Sequence, residues 1–146
     1  MPRNLISREL AASRLREHGV GPTEQRLEIA RVLFSLCMHV SAEQIMLKVN
    51  ERSARVSKAT VYNTLKLFRE KGLVREVIVD PARVFYDPNT APHHHFYDVD
   101  TGTLTDIAAG DIKISGVPRL PAGLVEDGVD IVIRTRASSG GKVHLK

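Results

Sequence analysis

The chain has 146 residues, 42% of them hydrophobic and 26% charged, with a formal net charge of +4. That is enough apolar material for one ordinary domain or two small ones, with no apolar run near the ~18 residues that read as a membrane span. A single cysteine, Cys37, excludes an intrachain disulfide and any multi-cysteine zinc site.

The opening stretch Met1–Ser7 lacks the apolar run of a secretory signal, so a cytoplasmic protein is expected. Charge is unevenly spread: residues 1–86 hold 15 Lys/Arg against 9 Asp/Glu, and residues 87–146 hold 6 against 8. A basic half joined to an acidic, histidine-bearing half points to a polyanion binder coupled to a cation binder.

In chain order, Ser7 to His18 mixes charges with Leu10, Ala11 and Leu15 and predicts a helix stopped by Gly19. Thr23 caps a second helix, with Leu27, Ala30, Leu33, Phe34 and Cys37 on its apolar stripe. Ser41-Ala42-Glu43-Gln44 is a capping box opening a third, with Ile45, Met46 and Val49 inward. Ser57 caps a fourth that runs to Lys71, with Gly72 as its left-handed stop. The period then changes. Leu73–Val79 and Val84–Tyr86 read as strands about an Asp-Pro-Ala-Arg turn. Helices followed by a two-stranded wing make a winged helix-turn-helix. His93–Val99 and Thr103–Ile107 read as a hairpin about Thr101-Gly102. Residues 110–128 read as loop or one short helical turn, and Val129–Arg134 as a final strand. The expected class is α+β: a winged-helix DNA-binding domain over 1–86, a linker over 87–92, a small α/β dimerisation and sensing domain over 93–136, and a flexible tail over 137–146.

The fourth helix carries the DNA-reading signal. At 100° per residue, Val61, Thr64, Leu65 and Phe68 share one face and pack inward. Lys58, Tyr62, Asn63 and Lys66 share the other, offering cations for phosphate and hydrogen-bonding groups for base edges. Ser57 and Thr60 stand at the helix N-terminus, which favours phosphate. Arg26, with Arg14, Arg16 and Arg55, is placed to flank this surface.

His93-His94-His95 is the strongest cation signal. On a strand, alternate side chains share a face, so His93 and His95 pair while His94 points away. With a two-residue turn at Thr101-Gly102, Asp106 sits opposite Tyr97 and on the face of His93 and His95. His39 precedes the third helix and Asp87 ends the wing. A site of His39, Asp87, His93, His95 and Asp106, lacking thiolate, suits Fe²⁺ or Mn²⁺, with Zn²⁺ able to compete.

Thr23-Glu24-Gln25-Arg26, His39-Val40-Ser41-Ala42, Ala59-Thr60-Val61-Tyr62-Asn63-Thr64-Leu65, Gly72-Leu73-Val74 and the triple histidine together resemble the ferric uptake regulator family over residues 10–107. The resemblance implies a homodimer, metal-controlled binding to operator DNA, and no enzymatic activity. It also implies an interdomain ligand set falling on His39, Asp87, His93, His95 and Asp106, with Tyr62 contacting bases. Asn63 stands where many members carry arginine. Asp98 and Thr101 replace a Cys-x-x-Cys pair, so no structural Cys₄ zinc is expected. That departure is similar to the haem-responsive iron response regulator branch, making His93, His94 and His95 haem candidates and iron or haem the expected signal. Cys37 lacks a following proline and is expected in the core. Two alternatives remain: a peroxide-sensing repressor using iron or manganese at the same site, and a non-haem metal enzyme, for which five filled ligand positions leave little room.

Overall fold

The computed structural model describes residues 5–36, 39–52, 56–80, 82–91 and 93–138. Cys37, Arg55 and the tail beyond Ser138 lie outside the described residues, and with them the expectations that rested on those positions. Contacts divide the chain after Thr90 into two compact units. No helix among the described residues is long and apolar enough to cross a membrane.

The first unit begins with four helices, α1 (Arg8–Glu17), α2 (Glu24–Ser35), α3 (Ala42–Arg52) and α4 (Lys58–Glu70). Local chemistry fixes their starts. The hydroxyls of Ser7, Thr23 and Ser57 accept from the backbone N–H groups of Leu10, Arg26 and Thr60. Ser41 and Gln44 close a reciprocal box, Ser41 N–H to Gln44 Oε1 at 2.8 Å and Gln44 N–H to Ser41 Oγ at 3.2 Å. Both groups would otherwise lack intrahelical partners.

Two helices end alike. Gly19 and Gly72 adopt φ of 77° and 79°. At α4, Leu73 N–H reaches Phe68 O and Gly72 N–H reaches Arg69 O. At α1, Val20 and Gly19 do the same toward Leu15 and Arg16. This paired closure needs a left-handed residue, which glycine supplies without Cβ strain. The apolar residues after the glycines, Val20 and Leu73, are buried, as are Leu15 and Phe68.

The core of this unit joins Leu15, Ile29, Leu33, Ile45, Val49, Val61, Leu65 and Phe68. The wing follows as β1 (Arg75–Asp80) antiparallel to β2 (Arg83–Asp87). Phe85, Tyr86 and Asp87 are buried in succession, without the alternation of a strand covered on one face. The reason is a second neighbour: Tyr86 exchanges both backbone hydrogen bonds with Val40, at 2.7 and 3.2 Å. The end of β2 is therefore an interior strand.

The second unit is a three-stranded sheet in the order β4-β3-β5, from β3 (His94–Asp98), β4 (Thr103–Ile107) and β5 (Val132–Thr135). A single 3₁₀ turn, Ala109–Asp111, precedes a long irregular stretch. β5 runs parallel to β3 and is shorter than Val129–Arg134 suggested, with Ile131 serving instead as acceptor for His95 N–H.

The hairpin register corrects the two-residue turn. Asp98 pairs with Thr103, so four residues form the loop, and Asp106 stands opposite His95 rather than Tyr97. Asp98 explains the longer loop: its Oδ1 accepts from Asp100 N–H at 2.9 Å and Thr101 N–H at 3.2 Å. A side chain of this type builds its own turn. The shift is two residues, and the pleat repeats every two, so Asp106 keeps its face.

Candidate metal and nucleic-acid sites

Ligand-type side chains gather in each unit. In the second, His93 and His95 lie on one side of the chain with ring centroids 4.6 Å apart. His93 Nε2 is 3.2 Å and His95 Nε2 3.4 Å from the same atom, Asp106 Oδ1. His93 Nδ1 meets the carbonyl of Ala91 at 2.6 Å. Donation to that carbonyl places the proton on Nδ1 and leaves the Nε2 lone pair for a cation, the usual tautomer of a ligating histidine. His95 is wholly buried and His93 nearly so. Imidazoles held this close inside a protein, beside one carboxylate, fit a divalent ion with nitrogen and oxygen ligands.

In the first unit, His39 Nε2 lies 3.0 Å from Asp87 Oδ2. The Val40–Tyr86 bridge brings them together, since each is the immediate chain neighbour of one bridge partner. Asp87 Oδ1 accepts from Asn89 N–H at 2.9 Å, which orients the carboxylate with Oδ2 toward the histidine.

His94 is placed otherwise. Its Nδ1 accepts from Ile131 N–H at 3.0 Å, helping to seat the chain entering β5. Nε2 then carries the proton and has no lone pair to give. The position of the missing cysteine pair is filled by the Asp98 turn, and Asp100 Oδ2 accepts from Ala137 N–H at 2.9 Å. Carboxylate-to-backbone bonds hold this loop.

The exposed face of α4 carries Lys58, Tyr62, Asn63 and Lys66, while Val61, Thr64, Leu65 and Phe68 are buried, matching the helical wheel. Ser57 and Thr60 are engaged with each other, Ser57 Oγ donating to Thr60 Oγ1 at 3.0 Å while capping α4. Arg26 donates to Gly21 O at 2.9 Å, and Arg14 lies 5.2 Å from the centroid of the Phe34 ring. Both arginines thus have local roles.

One residue joins this surface from another helix. Tyr62 donates to Glu43 Oε2 at 2.6 Å, and Lys58 Nζ lies 3.8 Å from the same oxygen. Glu43 stands in the capping box of α3, where an acid at a helix start is unremarkable. Only the packing of α3 on α4 brings it to Tyr62.

The sequence profile of the ferric uptake regulator family matches residues 17–117. The peroxide-responsive repressor PerR of Staphylococcus epidermidis is 33% identical over 98 residues, covering 67% of this chain. The chain spans 65% of that relative's length. Among solved structures, the ferric uptake regulator of Pseudomonas aeruginosa with manganese aligns with a TM-score of 0.66 at 24% identity, covering 88% of this chain and 98% of that one. The Helicobacter pylori ferric uptake regulator, described as having three functional metal-binding sites, aligns with a TM-score of 0.68 at 15% identity, covering 99% and 100%.

Proposed function

The chain belongs to the ferric uptake regulator family of transcriptional regulators, and on that footing we propose that it is a metal-responsive repressor, acting in the cytoplasm on palindromic operators of iron-homeostasis genes as a homodimer. The ion is Fe²⁺ or Mn²⁺, with Zn²⁺ competing in vitro. Its ligands are His39 and Asp87 of the first unit with His93, His95 and Asp106 of the second. A bound divalent ion would supply the positive charge that these imidazoles and carboxylates are suited to hold. DNA is met by α4, through Tyr62 and Asn63 at base edges and Lys58 and Lys66 at phosphates, with the α4 N-terminus at Ser57 and Thr60 and with Arg26 at the flank.

The observation carrying this reading is the convergence of His93 Nε2 and His95 Nε2 on Asp106 Oδ1, with the Ala91 carbonyl fixing the His93 tautomer. Two buried imidazoles aimed at one carboxylate oxygen offer the mixed nitrogen and oxygen ligands that a divalent ion takes. The homodimer is supported by the apolar side chains that the second unit leaves exposed, among them Phe96, Leu124, Val125 and Ile133. The test is operator gel shift with Fe²⁺, Mn²⁺ and Zn²⁺, on the native chain and on His93→Ala/His95→Ala. The native chain should bind the operator in a metal-dependent way, and the double variant should keep its helical content but lose that dependence. An unchanged metal response would sink the assignment.

The likeness to a peroxide-responsive repressor favours a second reading, in which the same site reports peroxide. Mass spectrometry after peroxide treatment distinguishes the two: a ligand histidine gaining one oxygen supports peroxide sensing. Haem as the signal finds less support. His94 as axial ligand would give up its bond to Ile131 N–H.

A further inference from the structure

Glu43 belongs to neither the metal set nor the DNA set assigned above, yet it holds the aromatic side chain of the exposed α4 face. The phenol–carboxylate distance of 2.6 Å is that of a strong charge-assisted hydrogen bond. Lys58 completes the cluster, with Nζ 3.8 Å from Glu43 Oε2 and 5.8 Å from the centroid of the Tyr62 ring. Each partner's titration is moved in the sense the bond requires. Hydrogen bonding from Tyr62 lowers the Glu43 pKa, and hydrogen bonding to Glu43 raises that of Tyr62.

We infer that Glu43 is a positioning residue for operator reading, which by accepting the phenolic hydrogen makes Tyr62 an acceptor-only probe of base edges. The inference rests on the proposal that Tyr62 faces DNA. A phenol has one hydrogen to donate and lone pairs to accept. With the hydrogen committed to Glu43, only lone pairs remain for DNA. In the major groove, adenine N6 and cytosine N4 offer donors, while guanine O6 and N7 and thymine O4 offer only acceptors. Tyr62 so held selects an exocyclic amine and disfavours the other bases. The Glu43 carboxylate also repels phosphate, which keeps this part of α4 from binding backbone indiscriminately, and Lys58 offsets part of that charge.

The competing explanation is that Glu43 serves only the start of α3. Double-mutant cycles separate the two. Glu43→Ala and Glu43→Gln are made in the native chain and in Tyr62→Phe. Binding is measured with Mn²⁺ present, to the operator, to single-base operator variants and to unrelated DNA. Glu43→Ala should lower the operator-to-unrelated ratio about fivefold to tenfold, the worth of one hydrogen bond. It should also relax the preference at one operator position toward guanine or thymine. Glu43→Gln keeps an acceptor oxygen and should lose less. In Tyr62→Phe, Glu43→Ala should change the ratio by less than about twofold, since the coupled partner is gone. Ultraviolet titration, with Tyr62→Phe subtracted, should show the Tyr62 phenol ionising at lower pH in both Glu43 variants.

Equal losses from Glu43→Ala in both backgrounds would overturn the inference, as would an unchanged base preference. So would a Tyr62→Phe chain that reads DNA like the native one while Tyr62→Ala does not, since the hydroxyl would then be irrelevant. A Tyr62→Ala chain with an undiminished ratio has a different meaning: it removes Tyr62 from the DNA surface altogether.

Discussion

The two units bury their apolar residues very differently. Between Ala11 and Tyr86 the first unit assembles one continuous core from four helices and the base of the wing. In the second, the buried apolar side chains among the described residues are Tyr97, Leu104 and Ile107, beside the buried His93 and His95. Val125, at 89% exposure, marks the other extreme, within a long irregular stretch that also exposes Val117, Leu120 and Leu124. The first unit holds enough internal contact to define its own fold. The second uses buried volume for imidazoles and leaves apolar surface exposed, which the proposed homodimer would cover. The proposed DNA reading and metal sensing would thus rest on different physical supports.

The most severe test of the contrast is in the first core. Phe68 is wholly buried on the inner face of α4. Phe68→Ala should cost about 3–5 kcal/mol, through lost burial and the cavity left behind. Denaturant titration followed by far-ultraviolet circular dichroism checks it. A cost under about 1 kcal/mol would mean that the core relaxes around the gap and is far less tightly specified than its burial implies.

In the second unit the expected failure is of association. Phe96 and Ile133 pair in register on adjacent strands, and both are about two-fifths exposed. Phe96→Asp/Ile133→Asp places two like charges on that face and should weaken dimerisation by about 100-fold or more if the partner covers it. Sedimentation velocity across concentration reads this directly, with helical content preserved. An unchanged dimer would move the interface off this face of the sheet.

The contrast also sorts what could be read in the sequence. Caps, glycine stops and the inner face of α4 were legible because their causes lie within one turn of helix. Ser41 with Gln44 and Phe68 with Leu73 interact over a few residues. The shared face of His93, His95 and Asp106 was legible for a subtler reason. Parity along a strand survives a register error of two, and the Asp98 turn introduced just that error. Register itself was not legible, because nothing in Thr101-Gly102 announces that Asp98 will cap the loop. The parallel pairing of β5 with β3 and the Glu43–Tyr62 bond were hidden too, since each joins residues whose approach depends on packing.

A smaller effect probes the local part of that argument. Ser41→Ala removes one half of the capping box and should destabilise the first unit by about 1 kcal/mol. Thermal unfolding of the metal-free chain measures it. Because Ser41 follows Val40 and His39 directly, the variant should also loosen the His39–Asp87 pair, seen as weaker Mn²⁺ binding. A loss of stability with unchanged metal affinity would show that the Val40–Tyr86 bridge alone sets the pair.

The bridge offers the finest test, because Tyr86 carries a titratable group at the junction of helices and wing. Its phenol is pushed up to about 12, first by burial and then by the charge of the nearby Glu76 carboxylate. Glu76 in turn lies 2.9 Å from Arg69 Nε at the end of α4, an ion pair that ties the wing to that helix. Tyr86→Phe keeps the ring and the backbone bridge but loses the hydroxyl, at a cost of no more than about 1 kcal/mol near neutral pH. The sign at high pH follows from linkage. The native phenol holds its proton more tightly than the unfolded one. Its contribution is complete below the ordinary tyrosine range near ~10 and is lost as pH rises from there toward about 12. The native chain should therefore lose stability through that window faster than Tyr86→Phe, and the gap between their melting temperatures should narrow or reverse. Parallel declines would mean that Tyr86 ionises freely in the folded chain, and the wing would then be tied to the helices by the Val40 bridge and the Arg69–Glu76 pair without the phenol.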